Sequence, residues 1–125
     1  MKVFRTWESA PASLDSDHFT GPGTRWDLGR IEAPSGSALQ VRFEAGTRNH
    51  WHRHGGGQLL YVTEGAGLVG ERSGAVERIG PGDLVYAPPG EEHWHGATDA
   101  GPMTHLALSF GETEWLEPAP EAERS

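Results

Sequence analysis

Residues 46–65 read GTRNHWHRHGGGQLLYVTEG, with histidines at positions 50, 52 and 54 just before three consecutive glycines. On a β-strand, residues two apart project from the same face, about 7 Å apart along the strand. His52 and His54 therefore share a face, and the glycines that follow can bend the strand so that both imidazoles reach one ion. Gln58, just after the bend, adds a side-chain oxygen that suits a hard cation.

A second histidine cluster follows about forty residues later, where residues 88–95 read PPGEEHWH. The Pro-Pro-Gly turn can redirect the chain so that His93 returns to the first cluster. Five of the seven histidines fall in the two clusters, a concentration that surface composition rarely produces. One divalent metal ion is therefore predicted to bind four side chains, those of His52, His54, Gln58 and His93.

The spacing of these clusters resembles the two sequence motifs of the cupin family. The first motif is Gly, five residues, His-x-His, three or four residues, Glu, six residues and Gly. It falls in register with Gly46, His52, His54, position 58 and Gly65. The second motif is Gly, five residues, Pro-x-Gly, two residues, His, three residues and Asn. It falls in register with Gly82, Pro88, Gly90 and His93. Two positions depart from the pattern, because Gln58 stands where cupins have Glu and Ala97 where they have Asn.

The resemblance implies an all-β fold, a single-domain cupin barrel of the jelly-roll or double-stranded β-helix type. Alternation of Leu39, Val41 and Phe43 with polar residues independently predicts a half-buried strand. The 18 glycines and 9 prolines fit the many short turns of such a fold. We assign residues 1–115 to the barrel domain, with an N-terminal arm at 1–35 and the barrel proper at 36–111. Residues 116–125 are predicted to be a flexible acidic tail.

Within the cupins, the chain is similar to the small bacterial manganese-dependent hydroxynitrile lyases from about residue 19 to residue 115. The shared segments are WHRHGGGQ at 51–58, PGD at 81–83, PPGEEHWHG at 88–96 and MTHLA at 103–107. The resemblance implies one metal ion per chain, preferably manganese, bound by the three histidines and Gln58. It also implies that His105 lies in the substrate pocket. Iron, nickel, cobalt and zinc likewise suit imidazole and amide ligands.

Gln58 changes the charge of the predicted site. Three neutral imidazoles and a neutral amide leave the full charge of a divalent ion uncompensated, whereas Glu would cancel one unit. Such an ion favours Lewis-acid proton chemistry over oxygen activation. His105, which strand alternation directs inward, and His95, two residues after His93, are placed for proton transfer. These two histidines are the predicted catalytic residues.

These features predict a metal-dependent lyase of the hydroxynitrile lyase type, acting on small hydroxy or carbonyl adducts. The cupin fold carries many reactions, so three alternatives stay open. They are a dioxygenase of the quercetinase type, a polyketide cyclase, and a non-catalytic cupin that binds a metal or a small ligand. In each case the partner is a small molecule.

The composition limits the other classes of partner. The net charge of −8 argues against nucleic acid, and no apolar run approaches the length of a membrane span. The chain lacks cysteine and begins without a basic segment followed by an apolar run, so a cytoplasmic location is expected. Leu106, Leu108 and Phe110 lie on the opposite strand face from His105. This apolar row predicts a homodimer or a larger homo-oligomer.

Four further ring side chains are assigned structural roles. Trp51 and Trp94 alternate with the predicted ligands and are expected to pack on the outer face of the barrel. His50 stands at the strand entrance and is assigned to the rim of the site, while the isolated His18 is assigned to the surface. Residues 2–7 are predicted to form a short first strand.

Overall fold

The structure, a computed structural model, describes residues 3–120. Within that range, eleven β-strands follow one short 3₁₀ helix, Thr6–Glu8. In chain order the strands are β1 Pro11–Ser13, β2 Gly23–Glu32, β3 Ser35–Phe43, β4 His52–His54, β5 Gln58–Gly65, β6 Gly67–Glu71, β7 Val76–Ile79, β8 Leu84–Ala87, β9 His93–Ala97, β10 Met103–Phe110 and β11 Thr113–Trp115. No helix in the described range is long and apolar enough to cross a bilayer.

The strands form two antiparallel sheets. One sheet has six strands in the order β1-β2-β3-β10-β5-β8, and the other has five in the order β11-β4-β9-β6-β7. Because β10 lies between β3 and β5, the chain returns late to the middle of the first sheet. The predicted all-β, single-domain jelly-roll barrel is therefore confirmed.

The space between the sheets is filled by the inward side chains of both. The buried cluster there contains Val41, Phe43, Val62, Ile79, Ala97 and Met103. Pairing of β3 with β10 sets Val41 opposite His105, so both side chains share the inner face. His105 is only 1% exposed, which confirms the inward direction that strand alternation predicted.

The N-terminal part of the chain departs from the prediction at two points. Residues 3–7 form no strand, and residue 2 lies outside the described residues. The outer edge of β2 is occupied by β1, Pro11–Ser13, rather than by these first residues. Much of the predicted arm belongs to the barrel, because β2 pairs with β3 from Gly23 to Glu32.

The C-terminal segment also differs from the prediction of a flexible tail. The backbone N–H of Leu116 donates to the carbonyl oxygen of Trp51, and the N–H of Trp51 donates to that of Glu117. Ala119 is 7% exposed and packs in a second apolar cluster with Trp51 and Trp94. The prediction is therefore wrong for residues 116–120, because two tryptophans on the outer face need apolar cover. Residues 121–125 lie outside the described residues.

Candidate metal centre

The four predicted ligands come together between the two sheets. His52 in β4 pairs with His93 in β9, and their ring centroids lie 4.4 Å apart. The ring centroid of His54 lies 5.0 Å from that of His52 and 5.9 Å from that of His93. Gln58 begins β5 on the facing sheet, and its Oε1 lies 2.9 Å from Nε2 of His93. None of the four residues is more than 5% exposed.

The crossing from β4 to β5 depends on glycine. Gly57 has a φ angle of +91°, in the left-handed region that residues with a Cβ avoid. A Cβ at this position would also lie 3.0 Å from the carbonyl oxygen of Ala87. Glycine therefore allows the sharp turn that brings the amide of Gln58 beside the histidines.

Backbone carbonyls fix the orientation of two imidazoles. Nδ1 of His52 lies 2.8 Å from the carbonyl oxygen of His50, and Nδ1 of His93 lies 3.0 Å from that of Glu91. A carbonyl oxygen can only accept, so each Nδ1 carries the hydrogen and each Nε2 keeps its lone pair. Metal-binding histidines are commonly oriented in this way. His50 thus contributes through its main chain.

His54 has one ring nitrogen that the protein does not satisfy. Its Nδ1 lies 2.9 Å from Oγ1 of Thr113 in β11. Its Nε2 is buried and has no hydrogen-bond partner among residues 3–120. Leaving such a nitrogen unpaired costs about 1–3 kcal/mol, and with Nδ1 donating to the Thr113 hydroxyl a cation at the lone pair of Nε2 would remove that cost.

The contact between Gln58 and His93 also fits a cation. The Nε2 group of Gln58 donates to Oγ of Ser109 at 2.9 Å, so Oε1 is the atom that faces His93. Because Nδ1 of His93 carries the hydrogen, Oε1 and Nε2 are two acceptors facing each other. Two ligands about 2.1 Å from one ion and at right angles lie about 3 Å apart. The spacing of Oε1 of Gln58 and Nε2 of His93 therefore fits two ligands of one divalent metal ion.

A second imidazole pair adjoins these side chains. The ring of His95 is within reach of the same centre, since ligand atoms of His52, His93 and His95 all lie within 4.8 Å of one another. Nε2 of His105 lies 3.2 Å from Nδ1 of His95. The two predicted catalytic histidines therefore contact each other, and His95 lies nearer to the candidate metal position.

Asn49 holds His95 in place, a contact that no sequence pattern indicated. Its Oδ1 accepts from the backbone N–H of His95 at 2.8 Å, so its Nδ2 faces the imidazole, 3.1 Å from Nε2. The backbone N–H of Asn49 also donates to the carbonyl oxygen of His95. No periodicity or spacing marks Asn49, because it lies outside any strand and reaches β9 only through the fold.

Burial keeps these imidazoles uncharged at neutral pH. Desolvation lowers the pKa of His54 to about 4 and that of His105 to about 4. It also lowers the pKa of His52, His93 and His95 below the ordinary value. Neutral imidazoles are the form that binds metal ions and accepts protons.

Trp115 forms one flank of the site. In the pairing of β11 with β4 it lies opposite His52, and the two ring centroids are 4.9 Å apart. His18 also stacks on Trp115, with a centroid distance of 4.3 Å, and its Nδ1 lies 3.0 Å from a carboxylate oxygen of Asp15. His18 is half-buried, and it touches the indole that borders the site.

A cleft of about 570 Å³ opens beside His93, between the edge strands of the two sheets. Its inward apolar residues are Val69, Ile79, Val85 and Ala87. The charged residues that line it are Glu71, Glu77, Asp83, Glu91 and Arg78. Glu71 is the partner of His93 in the pairing of β6 with β9, and Ala87 is the partner of Gln58. The cleft therefore lies next to two of the predicted ligands and carries an excess of negative charge.

Comparison with known proteins agrees with this architecture. The profile of the cupin domain matches residues 39–109. An (R)-mandelonitrile lyase of Granulicella tundricola is 41% identical over 122 residues, which cover 94% of this chain and 93% of that protein. An acireductone dioxygenase of Rhodopseudomonas palustris is 35% identical over 65 residues, covering 50% of this chain and 36% of that protein.

The solved structure of a cupin-like protein from Thermotoga maritima is similar throughout. It has a TM-score of 0.83 and 37% sequence identity, and the match covers 88% of this chain and 87% of that one. The profile match spans more than half of the sequence, and both two-sheet architecture and inward histidines agree with it. The chain therefore belongs to the cupin family.

Proposed function

We propose that the chain is a lyase with one divalent metal ion, and that it cleaves small hydroxynitriles to a carbonyl compound and hydrogen cyanide. The observation that carries the proposal is the convergence of His52, His54, Gln58 and His93 as a neutral, oriented donor set. The similarity over nearly the full chain to a mandelonitrile lyase supports the reaction. Manganese as the metal and a cytoplasmic location remain predictions from the sequence.

The ring nitrogens favour His54 over His95 as the third imidazole ligand. Both nitrogens of His95 have protein partners, since Nε2 faces Asn49 and Nδ1 faces His105. Nε2 of His54, in contrast, is buried and has no hydrogen-bond partner in the described part of the chain. A ligand set that includes His54 gives its buried Nε2 a partner, and it leaves His95 unbound by the metal ion and in contact with His105.

A divalent ion in this set supplies Lewis-acid chemistry with its charge uncompensated by the protein. His95 and His105 are proposed to move the proton. The hydroxyl proton of the substrate passes to the imidazole pair, and the oxygen electrons form the carbonyl bond. The carbon–carbon bond to the nitrile breaks, and its electron pair leaves with cyanide. Cyanide then recovers the proton, so the histidines end unchanged.

The charge of the cleft supports an uncharged substrate. Four carboxylates and one guanidinium line it, and two of these carboxylates, Glu71 and Glu77, lie on the inward face of their strands. A cleft that is lined by charges of one sign concentrates ligands of the opposite charge and repels ligands of the same charge. Cyanohydrins are neutral, so this charge does not oppose their entry. It does oppose a small carboxylic acid, which disfavours an acid-sensing cupin.

A dioxygenase is the second candidate function. The observation in its favour is the similarity of half of the chain to an acireductone dioxygenase. The neutral ligand set disfavours it, because oxidation of the metal adds a positive charge that no carboxylate ligand compensates. Oxygen consumption with phenolic and enediol substrates distinguishes this candidate from the lyase.

We further propose that the outer face of the six-stranded sheet binds a second copy of the chain. Tyr61 is 45% exposed and Leu84 is 63% exposed, and they pair with each other across β5 and β8. Leu106 extends the same row on β10, since it pairs with Tyr61. An apolar row across three strands suits a self-complementary interface.

Leu108→Asp should weaken association, and light scattering that shows a wild-type monomer at micromolar concentration would contradict the proposal.

The lyase is tested by following benzaldehyde absorbance with mandelonitrile as substrate. Elemental analysis of the purified protein first identifies the metal, and stripped protein is then reloaded with that ion. Metal-free protein and free metal ion are the controls. His105→Ala should lower turnover by about 10²–10⁴-fold at unchanged metal content. No rate above the controls would reject the lyase and favour the dioxygenase.

A further inference from the structure

Gln58 presents a problem that a glutamate at the same position does not. A carboxylate offers an oxygen to a cation whichever way it turns. An amide has a carbonyl oxygen at one end and an NH₂ group at the other, and the NH₂ group cannot bind a cation. Only one of two orientations of similar shape therefore lets Gln58 act as a ligand.

The opposite orientation is also compatible with the neighbouring imidazole. Nδ1 of His93 holds its hydrogen on the carbonyl oxygen of Glu91, so Nε2 accepts. With the amide turned over, the NH₂ group would donate to that nitrogen across the same 2.9 Å contact. His93 alone therefore does not favour the orientation that binds metal. In the metal-binding orientation the NH₂ group points away from His93, so it needs an acceptor at the other end of the amide.

Ser109 provides that acceptor, since a hydroxyl can accept from the NH₂ group as well as donate to the amide oxygen. Gln58 and Ser109 are partners in the pairing of β5 with β10, and Nε2 of Gln58 donates to Oγ of Ser109 at 2.9 Å. Ser109 is 7% exposed and Gln58 is 5% exposed, so water does not readily replace this hydrogen bond. When Oε1 is bound to a metal ion, the NH₂ group cannot turn to seek another acceptor.

We infer that Ser109 is a positioning residue, which supports metal binding by accepting from the NH₂ group of Gln58 while the amide oxygen faces the metal ion. This role rests on the ligand set proposed above, and it does not depend on the lyase reaction. It links the departure from the usual cupin glutamate to a hydroxyl on a different strand. Ser109 is then part of what makes a glutamine at position 58 a usable ligand.

The test uses Ser109→Thr and Ser109→Val, two variants of nearly equal shape. Both side chains suit a β-strand, and only threonine keeps the hydroxyl acceptor. Affinity for Mn²⁺ and Zn²⁺ is measured on stripped protein by competition with a chelator of known affinity. The valine variant should bind metal roughly 5- to 100-fold more weakly than the threonine variant, because a buried amide N–H is left unpaired.

Two controls separate orientation of the amide from a general change in the core. Thermal unfolding of both stripped variants shows that they fold, and Ser109→Ala replaces the valine variant if that one does not. The Thr/Val pair is then repeated in a Gln58→Glu background, where an oxygen faces the ion in either orientation. The ratio of affinities should shrink in that background. Equal affinities of the first pair, or an undiminished ratio in the Gln58→Glu background, would overturn the inference.

Discussion

The two faces of β4 and β9 differ in chemistry and in how they are held together. The inner face carries His52, His54, His93 and His95, all buried. The outer face carries Trp94, and Trp51 lies just before β4 on the same side, in an apolar cluster with Leu68 and Ala119. The inner face is polar and held by hydrogen bonds, whereas the outer face is apolar and held by packing.

Residues on the inner face therefore serve the candidate site, and residues on the outer face serve the stability of the fold. Burial of imidazoles costs free energy of desolvation, which their hydrogen bonds and a bound cation offset. Burial of two indoles contributes the stabilisation that the inner face lacks. Because side chains alternate along a strand, adjacent residues such as His93 and Trp94 take opposite roles.

Removal of an inner-face ligand should have the largest effect, and it should fall on metal binding. His93→Ala is expected to lower metal affinity by more than about 100-fold, because loss of an outer partner alone typically costs 10–100-fold. His52→Ala and His54→Ala should behave alike, with the barrel intact. Metal-to-protein ratio is measured beside circular dichroism. Full occupancy in all three variants would contradict the ligand set.

The matched change on the outer face should affect stability instead. Trp94 is 1% exposed, and Trp94→Ala is expected to lower the free energy of unfolding by about 3–5 kcal/mol. Urea unfolding of the metal-free protein measures this loss. Metal affinity of the fraction that remains folded should change little. A variant with normal stability and lost metal would show that the two faces are not separate.

Acid should destabilise the protein through the inner face. The pKa of His105 is lowered to about 4 in the folded state, against about 6.5 in the unfolded chain. Between these values the unfolded chain binds the proton and the folded one does not. Stability is therefore complete above about pH 6.5 and falls as the pH drops toward 4, by about 3 kcal/mol for this residue. His105→Ala should flatten the profile of unfolding free energy against pH, and an unchanged slope would disagree.

The charge of the cleft should produce a smaller effect, on anions. Glu71→Gln with Glu77→Gln removes two carboxylates that face the cleft. Azide binding, followed by the visible spectrum of Co²⁺-loaded protein, should tighten about three- to tenfold, and less at high salt. Glu8→Gln with Glu32→Gln changes the net charge equally and is the control. Equal tightening in both pairs would mean that the cleft has no local role.

The smallest effect is expected at the border of the outer cluster. The guanidinium of Arg72 lies 3.9 Å from the ring centroid of Trp51, and it hydrogen-bonds to Glu92 and Glu117. Arg72→Ala should lower stability by about 0.5–1 kcal/mol through the lost cation–π contact. Denaturant unfolding measures this loss of stability, and Arg72→Lys is the control variant that keeps the positive charge. A change in metal affinity larger than the change in stability would contradict the separation of the faces.

The sequence could identify the inner face because its signals are local. His52, His54, Gln58 and His93 follow fixed spacings around turns, and alternation alone directs His105 inward. The same alternation directs Ser109 inward, so its position could be predicted, although its hydrogen bond to Gln58 could not. Local patterns therefore predicted which residues face the site and left open how each is held.

Contacts made by distant segments could not be predicted in this way. Thr113 and Trp115 reach the histidines through the pairing of β11 with β4, and Thr113 is 59 residues from His54 along the chain. Asn49 reaches His95 from outside any strand. The segment at 116–120 has the composition of a disordered tail, yet it packs because Trp51 and Trp94 offer an apolar surface.

The sparse pairing of β4 with β9 has a consequence for when the site is completed during synthesis of the chain. β4 pairs with β9 at one position only, whereas it pairs with β11 at all three of its residues. The partner that fixes His54 and the indole beside His52 are thus synthesised after all four predicted ligands. A nascent chain that lacks residues 113–115 has every ligand already synthesised but lacks the strand that pairs with all three residues of β4. Completion of the site then has to wait for synthesis of β11.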